Sequence, residues 1–167
     1  MRPAGLCAIL MTAAAIAGCG GGDRKIDSKA DFIAAGDRIC VERDKRSLDI
    51  AGTPANANAA DLTGELADIY VTTIAKFQKL GLPPGEDRAA AAKFIKSVGS
   101  MAVPVCRMKQ AAVALDEARS DAAIKERARD LELSINTVTA IGDVVDRDAR
   151  EYGFMNCGQQ ERPNPVA

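Results

Sequence analysis

Five cysteines and no histidine bound the chemistry open to this chain. Without histidine there is no Ser-His-Asp or Cys-His pair to activate a nucleophile. The Glu-x-x-His ligands of di-iron bundles and the usual histidine-containing zinc sites are excluded as well. A site made only of carboxylates remains open, yet no calcium-loop spacing of Asp, Asn and Gly occurs. The adjacent acids Asp116 and Glu117 are the best candidates for an enzymatic role. Neighbours in sequence do not share a helix face, so they make a poor acid/base pair. The expected catalytic set is none, and no metal or cofactor is expected.

Thiol chemistry is left. Cys7 and Cys19 lie in or beside an N-terminal segment in which Arg2 is the only charge before Asp23. Ala4 to Ala17 is almost wholly apolar, a run suited to an export signal and too short for a spanning helix, which needs roughly 20 residues. It ends Ile16-Ala17-Gly18-Cys19, which resembles the bacterial lipobox: an aliphatic residue, two small residues and a cysteine. The resemblance implies cleavage after Gly18, thioether lipidation of Cys19 and acylation of the new amino end, palmitate being one such chain. Residues 1–18 are then a lipoprotein signal peptide. The alternative is a plain secretory signal with an incidental cysteine. Against it, Gly20-Gly21-Gly22-Asp23 follows at once, and 19–27 reads as a flexible tether between lipid and domain. Gly20 rather than aspartate follows Cys19, so no Gram-negative retention signal is present.

Cleavage leaves roughly 150 residues, enough for one domain with a core. The whole chain carries 22 basic and 23 acidic residues, and the signal removes only Arg2 of these. No basic stripe exists to neutralise phosphates, which argues against a nucleic-acid partner. Tryptophan is absent and aromatics make up 4% of residues, too few for a sugar-stacking platform.

Four helices must position whatever chemistry there is. Ser28 is an N-cap for a first helix with Phe32, Ile33, Gly36, Ile39 and Cys40 on one side, fading near Ser47 or Leu48. Gly52 to Asn58 is a loop by composition. Asp61 is the expected cap of a second helix striped by Leu62, Leu66, Ile69, Thr73, Phe77 and Leu80. Gly81 and Leu82-Pro83-Pro84-Gly85 end it. A third helix starts near Glu86 and carries Phe94, Val98, Met101, Val105, Met108, Ala112 and Leu115. A fourth begins at Ser120 or Asp121 and carries Ile124, Ala128, Leu131, Ile135, Val138, Val145, Ala149 and Tyr152. The spacing predicts an all-α fold over 28–158, an up-down-up-down four-helix bundle. The second pair is longer and projects by roughly 15 Å. Asp143 with Arg147 and Asp146 with Arg150 are read as i,i+4 pairs on a solvated face. The polar tail, 159–167, is expected to be disordered.

Pro104 should kink the third helix, because it lacks an N–H and clashes with the preceding turn. That bend either follows the bundle's shape or opens a gap that admits an apolar ligand, with Met101, Met108 and Met155 as its lining.

Of Cys40, Cys106 and Cys157, one pair and one leftover are possible. Lys29-Ala-Asp-Phe-Ile-Ala-Ala-Gly-Asp-Arg-Ile-Cys40, Leu82-Pro83-Pro84-Gly85 and Tyr152-Gly153-Phe154-Met-Asn-Cys157-Gly158 together resemble a group of small uncharacterised actinobacterial lipoproteins. The likeness spans most of the mature chain, and no activity carries over with it. It implies that Cys40 pairs with Cys157, stapling the first helix to the end of the fourth, and an anchor on the outer face of a cytoplasmic membrane. Such a bond closes a loop of about 117 residues and is worth on the order of 4 kcal/mol. In a straight bundle Cys157 lies near the start of the first helix, three turns from Cys40, so Gly153 to Asn156 must fold back. Cys106 is left as a buried free thiol acting as a small hydrophobe, or a redox-active or intermolecular one.

Three functions are compatible with these residues. The first is a non-enzymatic envelope module that binds a partner protein. The second is a carrier or sensor of a small apolar ligand held between helices. The third is a carboxylate enzyme, which has the least support.

Overall fold

The computed structural model describes residues 25–52 and 58–158, and all regular structure among them is helical. The signal peptide, Cys19, most of the tether, residues 53–57 and the tail lie outside the described residues. Five helices follow in order: α1 (Lys29–Ala51), α2 (Ala59–Gln78), α3 (Asp87–Gly99), α4 (Ala102–Asp116) and α5 (Asp121–Tyr152). The third expected helix is interrupted. Ser100 and Met101 separate α3 from α4, and Met101 N–H donates to Val98 O, a tightened i→i−3 bond. Pro104 is the third residue of α4.

The caps follow residue chemistry. Ser28 Oγ accepts from Asp31 N–H and donates to the Asp31 carboxylate, so two groups of the first turn of α1 satisfy each other. Ser120 accepts from Ala123 N–H at the start of α5. The cap of α2 differs from expectation: Asn58 fills that place, accepting from Ala60 N–H, and Asp61 stands in the first turn. An Asn three residues earlier can reach the same orphan donors, and the carboxylate still faces the positive end of the helix. Helix α1 also runs to Ala51, past the expected fade near Ser47.

Packing joins α2 to α4, α4 to α5, α1 to α2, and α3 to both α5 and α2. Along the α3–α4 stretch Phe94, Val98, Met101, Val105, Met108 and Ala112 are all buried, as the stripe predicts. Among the described residues, the same stretch, Asp87–Asp116, is the one whose length and apolar content would suffice to cross a membrane; its apolar stripe is used in this core. The α5 stripe holds for Leu131, Val138, Val145, Ala149 and Tyr152 and fails for Ile124, Ala128 and Ile135, which are exposed. No residue between Asp121 and Asp130 is buried, so the first turns of α5 have little to pack against. Ile26, expected in the tether, packs half-buried on the core, beside Gly81.

Candidate functional site

The residues that the sequence brings forward converge where α5 ends. Gly153 adopts φ 109°, and its N–H and that of Phe154 return to Arg150 O and Ala149 O. This is a Schellman close, which needs a residue free of Cβ strain at the left-handed position. It reverses the chain and drives Phe154 inward. Phe154 lies 4.6 Å from Phe94, 5.4 Å from Tyr152, 5.8 Å from Phe32 and 6.5 Å from Phe77 between ring centroids. The scarce aromatics are therefore concentrated: all four phenylalanines and one of two tyrosines form one cluster. Gly36 makes room for it, since a Cβ there would sit 2.3 Å from the Phe154 ring.

Asp37, the next residue of α1, binds the segment that follows. Its carboxylate accepts from Met155 N–H at 3.1 Å, Asn156 N–H at 2.8 Å and Cys157 N–H at 3.3 Å. Three consecutive N–H groups turned on one buried carboxylate form an anion nest satisfied from within the chain. The next turn brings Cys40 to Cys157, which are disulfide-bonded with Cα atoms 5.3 Å apart. Phe32, Gly36 and Cys40 thus occupy successive turns of one face, each meeting a different residue of the returning tail. Gly158 completes it with φ 94°: a Cβ there would meet Asp146 O at 2.6 Å, and Gly158 O accepts from Arg150. Asp37 was not legible as a site residue. Its partners are backbone groups 118 to 120 positions away, which leave no mark in residue type.

Beside the disulfide lies a cavity of about 110 Å3 between the helices. Phe94, Val98 and Met101 form apolar wall; Arg43, Thr139 and Asp146 form polar wall. Arg43 has a side chain only 10% exposed. Its Nε–H donates to Asp44 Oδ1 at 2.7 Å. Nη2 is equally near that oxygen and is ion-paired with it. Asp146, expected on a solvated face, is half-buried on the cavity wall. Loss of hydration pushes its pKa up, and Asp44 adds to this, while Arg43 and Arg150 pull it down. Arg150 donates to Gly158 O, and Arg147 pairs with Glu151. The Tyr152 hydroxyl is buried without a partner, and burial with the nearby Asp87 charge raises its pKa.

No family model, curated protein or solved structure matches the chain.

Met101 lines the cavity, Met108 is buried in the core, and Met155 is 63% exposed, turned out by the same reversal that buries Phe154. Cys106, expected as a buried free thiol, is half-buried and disulfide-bonded. Asp116 accepts from Asn58 Nδ2 at 2.7 Å and Glu117 caps α4, so both sit at a helix junction. Among the described residues no three His, Cys, Asp or Glu side chains are grouped to hold a metal ion.

Proposed function

We propose that the chain is a lipoprotein of the cell membrane's outer face, lipidated on Cys19, with a non-enzymatic helical domain that binds a partner in the envelope. The observation that carries the reading is the Cys40–Cys157 disulfide, since such bonds persist in oxidising compartments outside the cytoplasm. Together with the lipobox-like Ile16-Ala17-Gly18-Cys19 it argues for export and anchoring. The domain is an up-down-up-down bundle on this reading. Support comes from the order of contacts: Asn58 meets Asp116, Asp68 meets Lys109, and Gln78 lies by Gly99. Pro104 sets the interruption at Ser100 and Met101, because Ser100 O loses its i+4 donor.

Labelling growing cells with radioactive palmitate tests the anchor. The chain should take up label and Cys19→Ser should not; equal labelling of both would overturn it. Cross-linking in intact cells tests the partner, and recovery of the same random envelope proteins with an unrelated lipoprotein would count against one.

The cavity favours a second reading, a carrier or sensor of a small ligand held between helices. Its apolar wall contains Met101, as expected for a gap beside the interrupted helix.

A further inference from the structure

We propose that a cleft between α3 and the last turn of α5 binds a small zwitterion: one anionic oxygen group, carboxylate or phosphodiester, joined to one ammonium. The cleft holds about 220 Å3 and shares only Phe94 with the lining of the cavity beside the disulfide, so it depends on neither reading above. Ala90, Lys93 and Phe94 are i, i+3 and i+4 on α3, and Asp148, Glu151 and Tyr152 stand likewise on α5, so each helix turns one face to it. Buried Phe94 and Tyr152 make its floor, and the charged residues make its rim.

Two observations specify the ligand. The first is the charge left over on the rim. Lys29 pairs with Asp87 at 3.8 Å, and Glu151 with Arg147 at 3.9 Å. Lys93 and Asp148 have no ion-pair partner among the described residues, which leaves one charge of each sign. A pair between those two at the surface is worth little, and a ligand that bridges them displaces it at small cost. The second is the Tyr152 hydroxyl, buried with no hydrogen-bond partner among the described residues. Burial and the Asp87 charge raise its pKa, so at neutral pH it carries its proton and donates. The Lys29 ammonium lies 4.9 Å from the centre of the same ring, a cation–π contact that keeps positive charge over it. An anionic oxygen between Lys93 and Tyr152 supplies the missing acceptor, and such charge-assisted bonds are roughly twice as strong as neutral ones. The ligand's ammonium then meets Asp148, with Glu151 on the same face. An anion alone would face both carboxylates, and a cation alone would leave the hydroxyl without an acceptor. Free amino acids and phosphoethanolamine headgroups of lipids share this chemistry.

The test is titration of the 15N-labelled full chain at pH 7 and constant ionic strength. The probes are glycine, glycerophosphoethanolamine, and the half-molecules acetate, dimethyl phosphate and methylammonium. At least one zwitterion should shift the amide signals of Ala90, Phe94 and Tyr152. It should bind at least about fivefold more tightly than any half-molecule, the effect of one added exposed charge contact. Tighter binding of glycine assigns the site to free amino acids, and tighter binding of glycerophosphoethanolamine assigns it to a lipid headgroup. Lys93→Gln and Asp148→Asn should each bring the zwitterion down to the affinity of the half-molecules. Tyr152→Phe, which keeps the ring, should weaken the zwitterion and both anions and leave methylammonium unchanged. The five-probe comparison on the unaltered chain decides the matter even where a variant does not fold. Acetate or dimethyl phosphate binding as tightly as the zwitterions would overturn the role of Asp148. Methylammonium binding as tightly would overturn that of Lys93 and Tyr152. No shift with any probe would overturn the proposal and leave the anchored-module and carrier readings untouched.

Discussion

Asp37 is one carboxylate doing the work of a short stretch of secondary structure. The residues after Gly153 have no helix or strand to satisfy them, and three of their N–H groups turn on its two oxygens. Asp37→Ala strands all three, two of them partly buried and that of Cys157 buried, and should cost about 3 kcal/mol. Asp37→Asn keeps one accepting oxygen and should cost less. Urea unfolding of the oxidised protein measures both, and a loss below about 1 kcal/mol for the alanine variant would show that the tail is held by its other contacts. Asp146 makes the opposite contribution. Its pKa is raised on folding, so the native state holds its proton more tightly than the unfolded chain does. Stability from this group is present at acid pH and is lost as pH rises through the folded-state pKa. At neutral pH the ionised, poorly hydrated carboxylate is a burden. Asp146→Asn should therefore raise the melting temperature at pH 7 and give little gain near pH 3. A gain that is the same at both pH values would mean that desolvation is not the cause.

At the level of elements, much was legible because period is a property of residue order. The α3–α4 stripe from Phe94 to Ala112 is buried throughout, since helices α2 and α5 cover that face. The α5 stripe reads equally well and is only partly used. Ile124 and Ile135 are apolar at the right spacing, but a period says which residues share a face and not whether a neighbour reaches it. The interruption between α3 and α4 belongs to the same scale. Pro104→Ala restores an N–H that can donate to Ser100 O, recovering up to about 3 kcal/mol. A freer unfolded chain takes back roughly 0.4–1 kcal/mol. The expected net gain is about 1–2 kcal/mol, with slower amide exchange at Met101 to Val105. Unchanged exchange there would mean that packing of Met101, and not the proline, sets the break.

For the molecule as a whole, the question is whether the tail is a staple laid on a finished bundle or part of its core. A pairing of Cys40 with Cys157 could be expected, yet it did not show what lies beneath the bond. Phe154 is at the centre of the aromatic cluster, and lifting the tail would expose Phe32, Phe77, Phe94 and Tyr152 together. The cluster draws on α1, α2, α3 and α5, so the tail cannot leave while the helices stay packed. The disulfide adds to this by closing a loop of 117 residues, worth on the order of 4 kcal/mol. Against a typical domain stability of about 5–15 kcal/mol, that is a large share. The Cys40→Ala, Cys157→Ala double variant should lose about 4 kcal/mol and still unfold in one step. Tyrosine fluorescence, which senses the cluster through Tyr152, and far-UV circular dichroism, which reports the helices, should move together in urea. If fluorescence changes first and helicity holds, the tail peels alone, and the cluster is a lid on the bundle rather than its core.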